Sequence, residues 1–508
     1  MMSSLWRKAV HFILVVCWLL VVIAPVWARA GGGHSYSGGH SSGGGGHSGG
    51  GGGGDGGDIF DLLILLFRLV ELNIAYPAIG IPIDLLIVGA VLWFIYFNQN
   101  SAWTTGYSSR RLTPISASQA QTLDEEIDGL RKHDPSFSPI LFADFAYALY
   151  AKVQEARGNK TLENLTPYLY PKVLEQLQQQ SADVKNVSGI IVGAFHIRRI
   201  SDSTRPMISI EVELETNYTE TRSNGGSTTW YNEEGWTFLR KRDVLSRPPD
   251  QITAIHCPKC GGALEQKLDG TCVHCGAKVT GGDFDWFVGR IEVDKHENRG
   301  PLLTADVPEV GTDWPTIYQP DFAAKRQRFL ALNTDFSWPK MHERVQFTFL
   351  QVQAAWTEQK WEKARPFVSD SLFQMELYWI TEYHRQHLRN VLKDIRIQKI
   401  DPVKVTLDAF HDTLTFRIYA SMIDFTADEQ SKVVCGNKNY RREFSEYWTF
   451  IRKRGAKPND KGNTNCPNCG AALKVNMAGL CEYCQGKITN GDFDWVLSRI
   501  EQDESYGG

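Results

Sequence analysis

The sequence predicts an α+β protein built from two copies of one domain, each carrying a four-cysteine clip, behind an N-terminal signal peptide and one transmembrane helix. Three observations carry this. "CPKCGGALEQKLDGTCVHC" at 257–275 recurs as "CPNCGAALKVNMAGLCEYC" at 466–484. "GWTFLRKR" (235–242) recurs as "YWTFIRKR" (447–454), and "GGDFDWFVGRIE" (281–292) as "NGDFDWVLSRIE" (490–501), so each clip is bracketed by the same two segments. Self-similarity of this kind marks a duplicated unit. Within each unit helical periodicity comes first and strand alternation second, the layout of helices packed on one face of an antiparallel sheet.

Taken in order, residues 1–30 hold Arg7 and Lys8, the apolar run "FILVVCWLLVVIAPVW" and a closing "ARA", the pattern of a secretory signal peptide. Residues 31–57 are Gly/Ser/His-rich and read as a flexible tether, with His34, His40 and His47 as solubilising residues. Residues 58–77 contain "IFDLLILLFRLVEL", too short to span a bilayer and amphipathic, hence an interfacial helix. The apolar run "AIGIPIDLLIVGAVLWFIYF" places a transmembrane helix over 78–98, with Asp84 in its first turn, where an acid suits the helix dipole. Arg7 and Lys8 before the first apolar segment, and Arg110 and Arg111 after the second, put everything beyond residue 98 on the cytoplasmic side, where thiols stay reduced.

A linker over 99–133 leads to the first domain, 134–293. There Phe142, Phe145, Leu149 and Val153 recur at helical spacing, and Ile208, Ile210, Val212 and Leu214 alternate as in a half-buried strand. A Pro- and acid-containing connector over 294–330 precedes the second domain, 331–503, which repeats the order, with "VTLDAFHDTLTFRIYASMID" (405–424) at the strand position.

Of the ten cysteines, eight sit in the two clips: Cys257, Cys260, Cys272 and Cys275, then Cys466, Cys469, Cys481 and Cys484. Paired C-x-x-C turns at this separation are the spacing of a tetrahedral zinc site, and four thiolates leave no open position for catalysis. Two structural zinc ions are therefore expected; two disulfides per clip, or four free thiols, are the alternatives at this spacing. Ordering about nineteen residues costs roughly 1–2 kcal/mol each, which the few apolar residues of a clip do not offset, whereas a structural zinc contributes ~10–16 kcal/mol.

The W-x-F-x-R strand, the turn and the closing W-x-x-x-x-I strand resemble the C-terminal domain of the mitochondrial inner-membrane translocase subunit forty-four. The matching residues are Trp236, Phe238, Arg240, Trp286 and Ile291 in the first copy. In the second they are Trp448, Phe450, Arg452, Trp495 and Ile500, with Trp356 or Trp361 in the helical part. The exported Gly/Ser tract and membrane span are similar to the bacterial relatives of that subunit. The resemblance implies a nuclear transport factor two-like cone, a curved sheet closed by helices around an apolar pocket. The duplication and the clip inserted in the last β-hairpin depart from that pattern.

On this reading the chain is a non-enzymatic, membrane-anchored binding or scaffold protein of the bacterial inner membrane. It is single-pass after signal cleavage and holds lipid or apolar polypeptide segments, with membrane lipids, polypeptide clients or other membrane proteins as partners. The basic triplets Arg240, Lys241, Arg242 and Arg452, Lys453, Arg454 are candidate contacts to anionic lipid. A zinc-ribbon nucleic-acid binder is the alternative, disfavoured by a net charge of −4 and a pI near 6.4. A small-molecule enzyme of the cone fold is a further alternative. Its candidates, Asp283, Asp285, Asp492 and Asp494, lie at a strand entrance as turn carboxylates, and no catalytic residue is assigned.

Overall fold

The structure is a computed structural model that describes residues 117–201, 206–248, 256–260, 271–278, 282–298, 303, 309, 311–503 and 505–508. The expected signal peptide (1–30), tether (31–57), interfacial helix (58–77) and transmembrane helix (78–98) lie outside the described residues. Among the described residues no helix is long and apolar enough to cross a membrane. The 21-residue helix Pro139–Asn159 has the length but carries Asp144, Lys152, Glu155 and Arg157. The fold is therefore corrected to two α+β domains with four-cysteine clips; among the described residues no transmembrane helix or signal peptide is in evidence. The membrane-anchored function and the single-pass inner-membrane location rested on that span, and are corrected with it.

The first domain comprises α1 (Ala117–Arg131), α2 (Pro139–Asn159), a 3₁₀ turn (Leu162–Leu165), α3 (Pro171–Gln180) and strands β1 (Val184–Ser201), β2 (Met207–Arg222), β3 (Ser227–Lys241) and β4 (Phe287–Asn298). The second comprises α4 (Phe322–Leu332), α5 (Trp338–Thr357), a 3₁₀ turn (Trp361–Phe367), α6 (Asp370–Arg385) and β5 (Leu388–Leu407), β6 (His411–Asp428), β7 (Val433–Lys453) and β8 (Val496–Gln502). Each domain folds its strands into an antiparallel meander, β1-β2-β3-β4 and β5-β6-β7-β8. Helix α1 lies in the segment expected as linker 99–133, and α4 begins inside 294–330; both are weakly apolar, so periodicity alone hides them.

Register establishes the likeness of the two domains. Val212 faces Trp236, which faces Ile291; Phe416 faces Trp448, which faces Ile500. Ser138 and Ser337 occupy the same cap, each accepting a hydrogen bond from the backbone N–H three residues on, with proline in the first turn of the helix that follows. The chain before α3 and α6 closes each sheet. Tyr170 N–H donates to Val288 O (2.9 Å), and Ser369 N–H donates to Leu497 O (2.8 Å).

Aromatic side chains fill the space between helices and sheet. In the first domain Phe142 meets Phe238 at 5.2 Å and Trp286 at 5.4 Å, both edge-on, and Tyr150 packs on Trp236 at 5.2 Å. In the second, Phe349 packs on Trp448 at 5.0 Å and Trp361 stacks on Phe373 at 5.9 Å. Among the described residues these side chains form one continuous core between helices and sheet in each domain.

Both sheet domains fall in one compact unit. Ser138 Oγ donates to Asp408 Oδ2 (2.6 Å), Lys325 pairs with Asp124 (2.6 Å), and Ser371 Oγ donates to Asp144 Oδ1 (3.1 Å). Residues 311–319 of the connector run as a strap against the second sheet. Buried Arg417 donates to Trp314 O (2.8 Å) and Gly311 O (2.9 Å), stacks over Tyr419 and pairs with Asp503 (2.8 Å).

Candidate metal centres

Each clip is inserted between the last two strands of its sheet. It leaves at the end of β3 or β7 and returns through the DFDW segment. The return needs a left-handed backbone at Gly282 (φ +83°) and Gly491 (φ +81°), and Gly491 O accepts from Lys453 N–H (2.8 Å), holding the neck closed.

Within the knuckles, backbone turns aim the sulfurs inward. Gly276 N–H donates to Cys272 O, Gly470 N–H to Cys466 O and Gln485 N–H to Cys481 O, at 2.8–3.0 Å. Residues 276, 470 and 485 all have positive φ, so the position directly after the second cysteine of a knuckle is the strained one. Glycine fills it in two of these knuckles and Gln485 (φ +58°) in the third.

The four sulfurs of each clip lie within 4.8 Å of one another. Cys257 to Cys275 and Cys260 to Cys272 are both 4.0 Å; Cys466 to Cys484 is 3.9 Å and Cys469 to Cys481 is 4.0 Å. A disulfide needs ~2.05 Å, so these are not disulfides. Four sulfurs at ~2.3 Å from a shared centre lie about 3.8 Å apart, so the spacing fits a tetrahedral metal site. The chain thus has two four-cysteine clusters able to chelate a metal ion.

Their electrostatics favour a cation. Backbone amides of Cys275 and His274 lower Cys272 to about 6, and that of Gly486 lowers Cys484 to about 7. Burial pushes Cys257 and Cys466 up to about 12. Each clip therefore has one thiol that ionises readily and one that resists. Four thiolates coexist only with a positive charge among them.

Residues beyond the cysteines hold the second clip, and sequence reasoning missed them. Asn468 Nδ2 donates to Cys484 Sγ (3.4 Å). Asp370 accepts from Lys487 Nζ (2.7 Å) and Thr489 Oγ1 (2.7 Å) and pairs with Arg365, whose Nε donates to Met477 O (3.1 Å). Asp370 opens α6 while Lys487 and Thr489 follow the last cysteine, so no local motif joins them. In the first clip Tyr168 Oη donates to His256 O (2.6 Å).

The basic triplets alternate as strands require. Arg240 is 1% exposed, paired with Asp134 (2.7 Å) and stacked over Trp286 (4.3 Å). Arg452 is 3% exposed, paired with Asp412 (3.2 Å), bonded to Asn333 and stacked over Trp495 (4.7 Å). Lys241 pairs with Asp283, and Lys453 with Asp492 (3.2 Å); Arg242 meets His133, and Arg454 donates to Asp408 O (2.6 Å). Asp285 and Asp494 each accept the N–H of the tryptophan that follows (2.8 Å) and serve as turn carboxylates. A cleft of about 210 Å³ beside the second clip is lined by Ser337, Lys340, Arg344, Asn463 and Asp494 among others. Arg344 bonds there to Trp495 O (2.9 Å) and Asn463.

Comparison with curated proteins finds no match. Residues 323–463 match the family model of the Tim44-like domain. The match begins in α4 and ends three residues before Cys466, so the clip separates β8 from the matched part. That assignment is consistent with a non-enzymatic protein. The chain contains a Tim44-like domain over residues 323–463.

Proposed function

We propose that the protein is a non-enzymatic scaffold in which two Tim44-like domains, the second matched directly and the first its duplicate, each present a structural zinc ribbon to polypeptide partners. The observation that carries the reading is the near-tetrahedral set of sulfurs, repeated at 3.9–4.0 Å in both clips. Four cysteine thiolates in a tetrahedral set suit zinc, the usual metal of paired C-x-x-C turns. The shared strand register and caps support duplication of the whole unit rather than of the clip alone.

Contact through the ribbons is favoured over contact through the domain interiors. The interiors are filled by core aromatics, whereas the second ribbon exposes Met477 (55%) and Tyr483 (56%), and the first exposes Val273 (50%). The test compares polypeptides that co-purify with the wild-type chain, with Cys260→Ser and with Cys469→Ser. Specific partners lost from one or both cysteine variants support the reading. An identical set from all three removes the ribbons as the contact surface.

A further inference from the structure

Among the described residues the two clips share their cysteines and not their surroundings. In the second clip a carboxylate, Asp370, sits at the start of α6. It takes hydrogen bonds from Lys487 and Thr489, in the segment that follows the last cysteine, and pairs with Arg365. Arg365 is buried and reaches into the clip to Met477 O; Lys487 Nζ also donates to Ala478 O (2.5 Å). One of the four sulfurs, that of Cys484, accepts a side-chain N–H from Asn468.

The shared cap residues Ser138 and Ser337, and the shared cysteines, give the corresponding positions in the first domain. Arg365 corresponds to Thr166, Asp370 to Pro171 and Asn468 to Lys259, while Lys487 keeps its lysine as Lys278. Proline offers no carboxylate and threonine no guanidinium. Thr166 Oγ1 instead donates to Glu163 O (2.5 Å) within its own turn, Lys259 Nζ lies over the Phe284 ring at 5.9 Å, and Lys278 is exposed.

Two physical consequences follow. An N–H bonded to a thiolate withdraws charge from the sulfur and lowers its affinity for a competing proton or electrophile, and such outer contacts fix the ligand in place. A clip pinned to a buried arginine also opens less often, because opening it breaks the bond from Arg365 to Met477 O and leaves that guanidinium N–H without its acceptor. Metal leaves a closed four-thiolate site only when a ligand swings out, so the pinned clip releases it slowly.

We infer that the two metal sites are kinetically unequal: the first clip is an exchangeable site whose occupancy follows the available zinc, and the second is a permanent structural site. This rests on the zinc reading above. Occupancy of the first ribbon then becomes a control on whatever that ribbon contacts, while the second domain keeps its form.

The test uses the full chain loaded with zinc and mixed with an excess of a chromogenic chelator, following release over time. Two phases of one equivalent each are expected, with rates at least about ten-fold apart. Cys260→Ser removes the fast phase and Cys469→Ser the slow one. Asp370→Asn and Asn468→Lys each accelerate the slow phase with the fast one unmoved. A single phase of two equivalents, or a slow phase that disappears in Cys260→Ser, overturns the inference. A chain that takes up no zinc overturns the zinc reading itself, and is told apart by metal analysis before the chelator is added.

Discussion

The hydroxyl of Ser138 caps helix α2 and, through the same oxygen, donates to Asp408 of the second domain at 2.6 Å. Asp408 in turn accepts the backbone N–H groups of Phe410 (2.8 Å) and His411 (2.6 Å), so one serine ties a helix start in one domain to the β5–β6 turn of the other. Ser337 caps α5 in the same way, and among the described residues its hydroxyl makes no bond to the other domain. Ser337→Ala is expected to cost about 1 kcal/mol, the loss of a cap. Ser138→Ala is expected to cost about 1–2 kcal/mol more, because a charge-assisted bond goes with it. Denaturant unfolding of the two variants measures the difference; equal losses would remove the cross-domain bond from the account.

Arg240 and Lys241 are neighbours in sequence and opposites in setting. Arg240→Met leaves Asp134 buried without its cation and is expected to destabilise by about 3–5 kcal/mol. Lys241→Met removes an exposed pair with Asp283 and is expected to change stability by no more than about 1 kcal/mol. Thermal melts at low and high salt check both, with only the Lys241 pair expected to be salt-sensitive.

That contrast shows what was legible in the sequence. Trp236, Phe238 and Arg240 share the inward parity of β3, as Trp448, Phe450 and Arg452 do in β7, so period-two alternation already distinguishes the buried arginines from Lys241 and Lys453. Reading each triplet as one patch ignores the pleat. The cysteine spacing and the repeated strand pairs were legible because each is local. The strap over Arg417, the pin at Asp370 and the bond from Ser138 to Asp408 join residues about a hundred or more apart, and no local pattern carries them.

Glu376 lies in the inward stripe of α6 among Leu372, Phe373, Trp379 and Ile380, at the position held by Leu177 in the first domain. Burial, with Glu446 nearby, raises its carboxyl to about 8. The folded state therefore keeps a proton that the unfolded chain loses near pH 4.5. Between those values the unfolded state binds fewer protons, and stability falls as pH rises. Glu376→Leu is expected to raise the melting temperature at pH 8 and to do so much less at pH 5. An equal gain at both pH values would show that Glu376 does not titrate in this range.

Gln485 holds the left-handed position that Gly276 and Gly470 hold in other knuckles. Gln485→Gly is expected to stabilise the second clip by about 1 kcal/mol, since a non-glycine residue pays for that conformation. Chelator titration of the full chain reads it as tighter retention of one metal equivalent; unchanged retention would show that the strain is relieved elsewhere.

The central claim is that each clip holds one zinc ion through four thiolates, and X-ray absorption at the zinc edge on the purified full chain, combined with metal analysis, tests it most directly. Two zinc ions per chain with four sulfurs at ~2.3 Å and no nitrogen or oxygen neighbour is the predicted result. Less than one equivalent, or a mixed sulfur and oxygen shell, would contradict it.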